Sequence, residues 1–275
     1  MALRCRTSDR TAAFVRGVDA LTPLVSKRLG TEARAVGSPS APRAAGWQDD
    51  LRDCRGCLLE AGGQVDDALA AGRIPLLLAG DCTVALTTLS TALRYRRDAK
   101  VLWLDAHGDF NTPATTESGY LSGMSLAGAC GLWDPGLGVE PVLPERLVLA
   151  GVRDLGEPER AQLERSPVTV IGASLETLVY VKNALDRQPV YIHLDLDVID
   201  PDTFPAEFPA TGGLEPDKLY DLLEAVAGEC EVIGLEVTAF CAPEDELERE
   251  AAASTAIRVI DPLLDAVTRG AHVSH

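Results

Sequence analysis

Two short stretches carry side chains that could do chemistry together. In VLWLDAHGDFN, residues 101–111, an apolar run ends in Asp105 and is followed by His107, Asp109 and Asn111. Extended backbone has a side-chain period of two, so Asp105, His107 and Asp109 fall on one side. In VYIHLDLDVIDP, residues 190–201, His193, Asp195 and Asp197 share a face and Asp200 follows before Pro201. Carboxylates at i and i+2 on the end of an apolar strand repel strongly at low dielectric unless a cation lies between them. An Asp at a loop start also caps turns, and either stretch alone allows that reading. Taken together, five carboxylates and a histidine favour a metal site. Oxygen-rich, histidine-poor donors suit Mn²⁺ or Mg²⁺ better than a thiolate-type zinc site, and there are enough for two ions about 3.5 Å apart.

A third stretch, LLLAGDCTVAL at residues 76–86, leaves a buried-looking strand at Cys82. A nucleophilic cysteine needs a neighbouring base, whereas carboxylates nearby would raise its pKa. A bound cation reverses that bias by stabilising thiolate, so Cys82 reads as an atypical metal ligand.

These residues need a scaffold that brings strand ends together. Strand-length apolar runs at 74–79, 101–105, 146–151, 168–172, 190–195 and 232–236 alternate with segments of helical period at 47–72, 83–95, 157–165, 175–187, 215–229 and 245–269. That alternation predicts an α/β fold with a mostly parallel, doubly wound sheet. In such sheets the ligand crevice lies outside the carboxyl ends of the strands. Residues 30–46 read as a long loop and 271–275 as a frayed tail.

At 275 residues the chain has the length of one large domain, spanning 1–275, and its 46% hydrophobic content supplies a substantial core. The net charge of −17 argues against nucleic acid or an anionic membrane surface as partner. No apolar stretch has the length of a membrane span and the first residues lack a signal-peptide pattern, so a cytoplasmic protein is expected. Seven cysteines without framework spacing predict reduced thiols, with Cys54 and Cys57 as plain helix residues rather than a redox or zinc motif.

The blocks GDCTVAL, DAHGDFNTP and HLDLDVIDP, followed by GLEVTAF, resemble in order and spacing the signature of the ureohydrolase superfamily, which includes arginases and agmatinases. The resemblance runs from residue 79 to 240. It implies a three-layer arginase-like fold with about eight mostly parallel strands, two Mn²⁺ ions per subunit, and a hydroxide between them that attacks a guanidinium carbon. By the same resemblance Asp105 and Asp195 bridge the ions, His107 and Asp197 complete one, and Asp109 and Cys82 complete the other. Asp109 and Glu236 are the implied catalytic carboxylates, with Glu236 gripping the guanidinium. The partner is a small guanidino substrate. Trimers or hexamers are usual in the family, and a monomer remains open.

The loop NTPATTESGYLSG resembles that of arginases, where Asn111 and Ser118, with Thr116 beside them, would receive the substrate's α-carboxylate. For the α-amino group the family has an Asp where this chain has Gly156, so Asp154 or Glu157 is expected to substitute. The family also has a metal-binding histidine at Cys82 and a proton-shuttling histidine at Ser122, near Tyr120. These departures resemble the family members that hydrolyse Nω-hydroxy-L-arginine to hydroxyurea and L-ornithine, which is the sharper expectation beside L-arginine to urea. An agmatinase-like or other guanidino-acid hydrolase and a metal-poor, non-catalytic member are the competing readings.

Overall fold

A computed structural model describes residues 1–271, with side chains to residue 269. Eight strands form one sheet: β1 (Ala2–Leu3), β2 (Ala35–Val36), β3 (Leu76–Leu78), β4 (Lys100–Leu104), β5 (Leu147–Val152), β6 (Thr169–Gly172), β7 (Val190–Asp195) and β8 (Val232–Thr238). Their spatial order is β2-β1-β3-β8-β7-β4-β5-β6, and every pairing is parallel. Helices cover both faces: α1 (Ala13–Leu29), α2 (Trp47–Ala70), α3 (Ala85–Tyr95), α4 (Ser125–Ala129), α5 (Glu157–Glu164), α6 (Thr177–Leu185), α7 (Pro216–Glu229) and α8 (Glu246–Ala271). The strand runs are continuously apolar because helices bury both faces; every residue of β7 and β8 is buried.

The structure thus has the expected fold and adds elements the periodicity did not reveal. Helix α1 carries Pro23 in its interior, a residue that breaks the helical signal. Its buried side is instead fixed by packing, with Val18, Leu21 and Val25 in the same core as Leu263 and Leu264 of α8. Strands β1 and β2 are two residues each, and β2 lies within the expected loop at 30–46. The expected tail at 271–275 begins at the last residue of α8, and its remainder lies outside the described residues.

One thiol expectation is corrected. Cys5 and Cys57 are joined as a disulfide across 52 residues of sequence. The pair forms because α2 and the segment after β1 pack on one small apolar cluster with Leu3, Val36 and Leu77, a proximity that cysteine spacing cannot show. Cys54 remains a buried free thiol on α2, while Cys82, Cys130, Cys230 and Cys241 are also free.

Candidate metal centre

Strands β3, β8, β7 and β4 are neighbours in the middle of the sheet, and their carboxyl ends carry the metal-type residues. Cys82 opens a single 3-10 turn, separated from the end of β3 by three residues and capped by the Asp81 side chain, which accepts from Thr83 N at 3.0 Å. Asp105 follows β4, Asp195 ends β7, and Asp197 lies in the 3-10 turn Leu196–Val198 that Asp195 caps. Asp195 caps this turn and also reaches toward β3: one oxygen accepts from Asp197 N at 2.7 Å, and the other from Cys82 Sγ at 3.0 Å. Asp105 likewise accepts from His107 N at 2.7 Å and from Trp103 Nε1 at 2.9 Å.

Two groups of donor atoms converge here, each with its members within 4.8 Å of one another: Asp105, His107 and Asp197, and Cys82, Asp105 and His193. They share Asp105. His107 Nδ1 lies 3.0 Å from Asp197 Oδ2 and 3.4 Å from Asp105 Oδ1. Asp109 faces the same cavity, and its Oδ2 is buried without a hydrogen-bond partner. Its backbone is left-handed at φ +48°, a conformation Asp tolerates better than most residues. The turn aims its carbonyl at α4, where it accepts from Leu126 N and Ala127 N at 2.9 and 3.1 Å.

Protons stand in for cations in this cluster. Burial, then the charge of Asp197, pushes the Asp105 carboxyl up. Burial with neighbouring carboxylates pushes Asp109 and Asp195 well up. Burial pulls His107 down, but hydrogen bonds to Asp105 and Asp197 prevail and hold it at about 12. Burial and the charges of Asp195, Asp109 and Asp105 push the Cys82 thiol well up. Deprotonated together, these groups would be prohibitively repulsive in so dry a place, and divalent cations are the natural replacement for the protons. The donor set fits a pair of such ions.

The cavity above, about 270 Å³, is lined by Arg10, Asp81, Cys82, Asp105, His107, Asp109, Asn111, Ser118, Tyr120, Ser122, Asp154, Glu159, Asp195, Asp197, Glu207 and Ala239 among others. Asn111, Ser118 and Asp154 lie at the cavity as the sequence suggested. Thr116 does not; its hydroxyl accepts from Gly119 N at 3.1 Å and shapes the loop. Glu157 is exposed at the start of α5, and Glu159, two residues on, is the residue that turns inward. Glu159 accepts from Phe110 N at 2.8 Å, and a side chain at Gly108 would collide with its carboxylate at 2.7 Å. Burial raises Glu159 to about 7. Asp200 also stays away from the centre, accepting from Asp202, Gly212 and Gly213 amides.

Glu236 requires correction. The β7–β8 register pairs Asp195 with Thr238 and His193 with Glu236, which sets Glu236 one pleat below the level of Asp195. It is 0% exposed and absent from the cavity wall. Its carboxylate accepts from Thr88 Oγ1 at 2.6 Å and Tyr191 OH at 3.0 Å, and lies 2.6 Å from His193 Nδ1. It is occupied with core donors and does not reach the cavity; Ala239 occupies the cavity wall instead.

Residues 49–264 match the Arginase family. The chain belongs to that family. Among its relatives, the N(omega)-hydroxy-L-arginine amidinohydrolase of Streptomyces lavendulae is 35% identical over 261 residues, 95% of each chain. An arginase of Bacillus caldovelox is 35% identical over 186 residues, covering 62% of this chain and 61% of the relative. A solved Bacillus caldovelox arginase superposes with a TM-score of 0.81 at 27% identity, over 95% of this chain and 96% of the other.

Arginase-family membership makes the departures of this chain informative. At Cys82 the thiol is committed to Asp195, and its backbone N–H donates to Ser122 Oγ at 3.1 Å, so Ser122 supports the turn rather than moving protons. One cation at the cavity, Arg10, gave no sequence signal. Arg10 stacks over Tyr120, 4.7 Å from the ring centroid, and donates to the Ser118 carbonyl at 3.2 Å. It is the one Lys or Arg among the described residues lining a cavity whose other charged residues are acidic, apart from His107. A buried N-terminal loop places it there, with Thr7, Ser8 and Asp9 packed against Asp81 and its turn; nothing in the motif spacing points to that segment. No helix of the described residues is long and apolar enough to cross a membrane.

Proposed function

We propose that the chain is a metal-dependent amidinohydrolase that cleaves the guanidino group of an arginine-type amino acid, Nω-hydroxy-L-arginine to hydroxyurea and L-ornithine in preference to L-arginine to urea. The observation that carries the reading is Asp105, shared by two groups of donor atoms on the floor of a cavity whose upper wall holds Arg10, Asn111 and Ser118. Manganese is the ion assigned to the Asp105–His107–Asp197 side, where oxygen donors predominate. A second divalent ion would take Cys82, Asp105, Asp109 and Asp195, a position that would hold Mn²⁺ less well because a thiolate is soft. Divalent metal supplies a nucleophilic water at neutral pH and polarises the group under attack.

The chain's own residues do the rest. The unpartnered Asp109 Oδ2 is placed to take a proton from attacking water and return it to the departing ornithine amine as the guanidino C–N bond breaks. Asn111, Ser118 and the Arg10 guanidinium receive the α-carboxylate, a charge-assisted contact in a wall otherwise hostile to anions. Asp154 and Glu159 face the α-ammonium. Support for the hydroxylated substrate comes from the Streptomyces lavendulae relative and from the cysteine at position 82, where the family pattern has histidine. The expected catalyst is cytoplasmic and works as a homo-oligomer or a monomer.

A panel of L-arginine, Nω-hydroxy-L-arginine, agmatine and 4-guanidinobutyrate with excess Mn²⁺ tests the reading. Turnover should be highest on Nω-hydroxy-L-arginine and weak on agmatine, which has no carboxylate for Arg10. Equal or better turnover of agmatine would overturn the amino-acid assignment, and no turnover of any guanidine by Mn²⁺-loaded protein would overturn the enzyme.

A further inference from the structure

His193 is buried, aromatic-stacked and unused by the reaction as drawn above. Its ring lies flat on Trp103, with centroids 3.5 Å apart and planes 7° from parallel, because β4 and β7 pair these two residues across the sheet. Nδ1 is taken by Glu236 at 2.6 Å. The other nitrogen, Nε2, lies 3.4 Å from Oγ1 of Thr238, the residue that β8 pairs with Asp195 at the end of β7. That hydroxyl in turn lies 3.5 Å from Cys82 Sγ. A ring nitrogen of His193, Cys82 Sγ and an Asp105 oxygen fall within 4.8 Å of one another.

This is the arrangement of a ligating imidazole. Metal-bound histidines characteristically give their second ring N–H to a carboxylate, which fixes tautomer and orientation and raises ligand basicity. Glu236 does so here, itself held by Thr88 and Tyr191, and Trp103 links the two parts: it stacks on His193 and donates Nε1 to Asp105. The family's histidine at position 82 is missing, yet an imidazole arrives beside the same cysteine from a different strand.

We propose that His193 Nε2, with Cys82 and Asp105, forms a sulfur- and nitrogen-containing metal position that selects a softer divalent ion such as Zn²⁺ or Co²⁺ over Mn²⁺. The inference rests on the hydrolase reading for the presence of metal, but concerns which residues and which ion. Its physical basis is ligand softness: thiolate and imidazole favour Zn²⁺ and Co²⁺, whereas carboxylate and water suit Mn²⁺. The Asp105–His107–Asp197 side keeps its oxygen-rich character, so the two positions would hold different ions. It also gives Glu236 a role: it is a positioning residue, acting on the metal through His193.

Cobalt reports the donor set without any assay of turnover. Titrated with Co²⁺, the wild-type protein should develop a thiolate-to-cobalt band in the near ultraviolet that Cys82→Ser lacks. His193→Gln should keep a folded circular dichroism spectrum, change the visible cobalt spectrum and weaken Co²⁺ binding at least about tenfold; Glu236→Gln should weaken it about tenfold through lost orientation. After equilibration with equal Mn²⁺ and Zn²⁺, elemental analysis should find both metals in wild type and less zinc in His193→Gln. A Co²⁺ affinity and spectrum unchanged in His193→Gln would overturn the assignment, as would the absence of a thiolate band in wild type. Either result with Mn²⁺ uptake and hydrolysis intact leaves the hydrolase reading standing; failure to take up any divalent ion sinks both.

Discussion

Asp105 ties the site together: it meets the Trp103 indole, the His107 backbone and both donor groups. Asp105→Asn keeps the shape and the hydrogen bonds of one oxygen but removes the shared charge. Metal content should fall below two ions per chain, and product release should drop more than about 100-fold, since even partners outside the ligand shell cost 10–100-fold. Arg10 makes a different prediction. Losing a charge-assisted contact of roughly 1.5–3 kcal/mol, Arg10→Gln should raise KM for the amino-acid substrate about 10–100-fold with metal content unchanged. KM for a guanidine without a carboxylate should barely move, so a uniform loss across both substrates would refute the assigned contact. Of these two residues only Asp105 was legible in the sequence. Its motif is local, whereas Arg10 is brought to the cavity by an irregular N-terminal loop with no periodic signal.

At the scale of elements, the site depends on how closely neighbouring strand ends approach. Gly151, in β5, has φ +94°, and a side chain there would sit 2.3 Å from Val198 Cγ2 and 3.1 Å from the Asp105 carbonyl oxygen. Gly is required for both reasons: the backbone conformation excludes other residues, and the turn carrying Asp197 passes directly over it. Gly151→Ala should cost about 2–5 kcal/mol from strain and overpacking together, lowering the melting temperature by roughly 5–15 °C. Metal affinity should fall with it, because Val198 adjoins Asp197. A melting temperature within a degree or two of wild type would show that β5 and that turn can separate at little cost. The strands themselves were readable from apolar runs between turn signals, while β1, β2 and α1 were not: two-residue strands have no period to detect, and Pro23 hides the period of α1.

For the whole molecule, the metal-free cluster makes stability depend on pH. Asp105, Asp109, Asp195, Glu159 and the separate Asp9 all have carboxyls raised by burial, and His107 is raised as well. Each holds a proton in the folded state that the unfolded chain releases, so each contributes stability present at low pH and lost as pH rises through its folded value. Asp197, lowered chiefly by its hydrogen bond to His107 against the pull of burial, acts in the opposite sense but is outnumbered. The chelator-treated protein should therefore melt higher near pH 5.5 than near pH 8. Added Mn²⁺ should raise the melting temperature more at the higher pH, where fewer protons compete for the ligands. A chelator-treated protein that melts higher at pH 8, or a metal effect independent of pH, would contradict protons as the stand-ins for cations.

Unbroken apolar runs already spell out the parallel α/β sheet, because its strands are buried on both faces, and the metal-type residues that end those strands are legible too, because ligand sets are local and follow the backbone period. What depends on register and on distant segments came only with the packed sheet. The family resemblance implied a substrate role for Glu236, yet the β7–β8 pairing sets it one pleat too deep and aims it at His193. His193 shared a face with the acidic pair in sequence, but only the sheet could bring it to Cys82, which arrives from β3 on the far side of β8. The inward turn of Glu159, the Cys5–Cys57 bond and the reach of Arg10 into the cavity likewise rest on which segments pack together, and spacing along a chain carries no record of that.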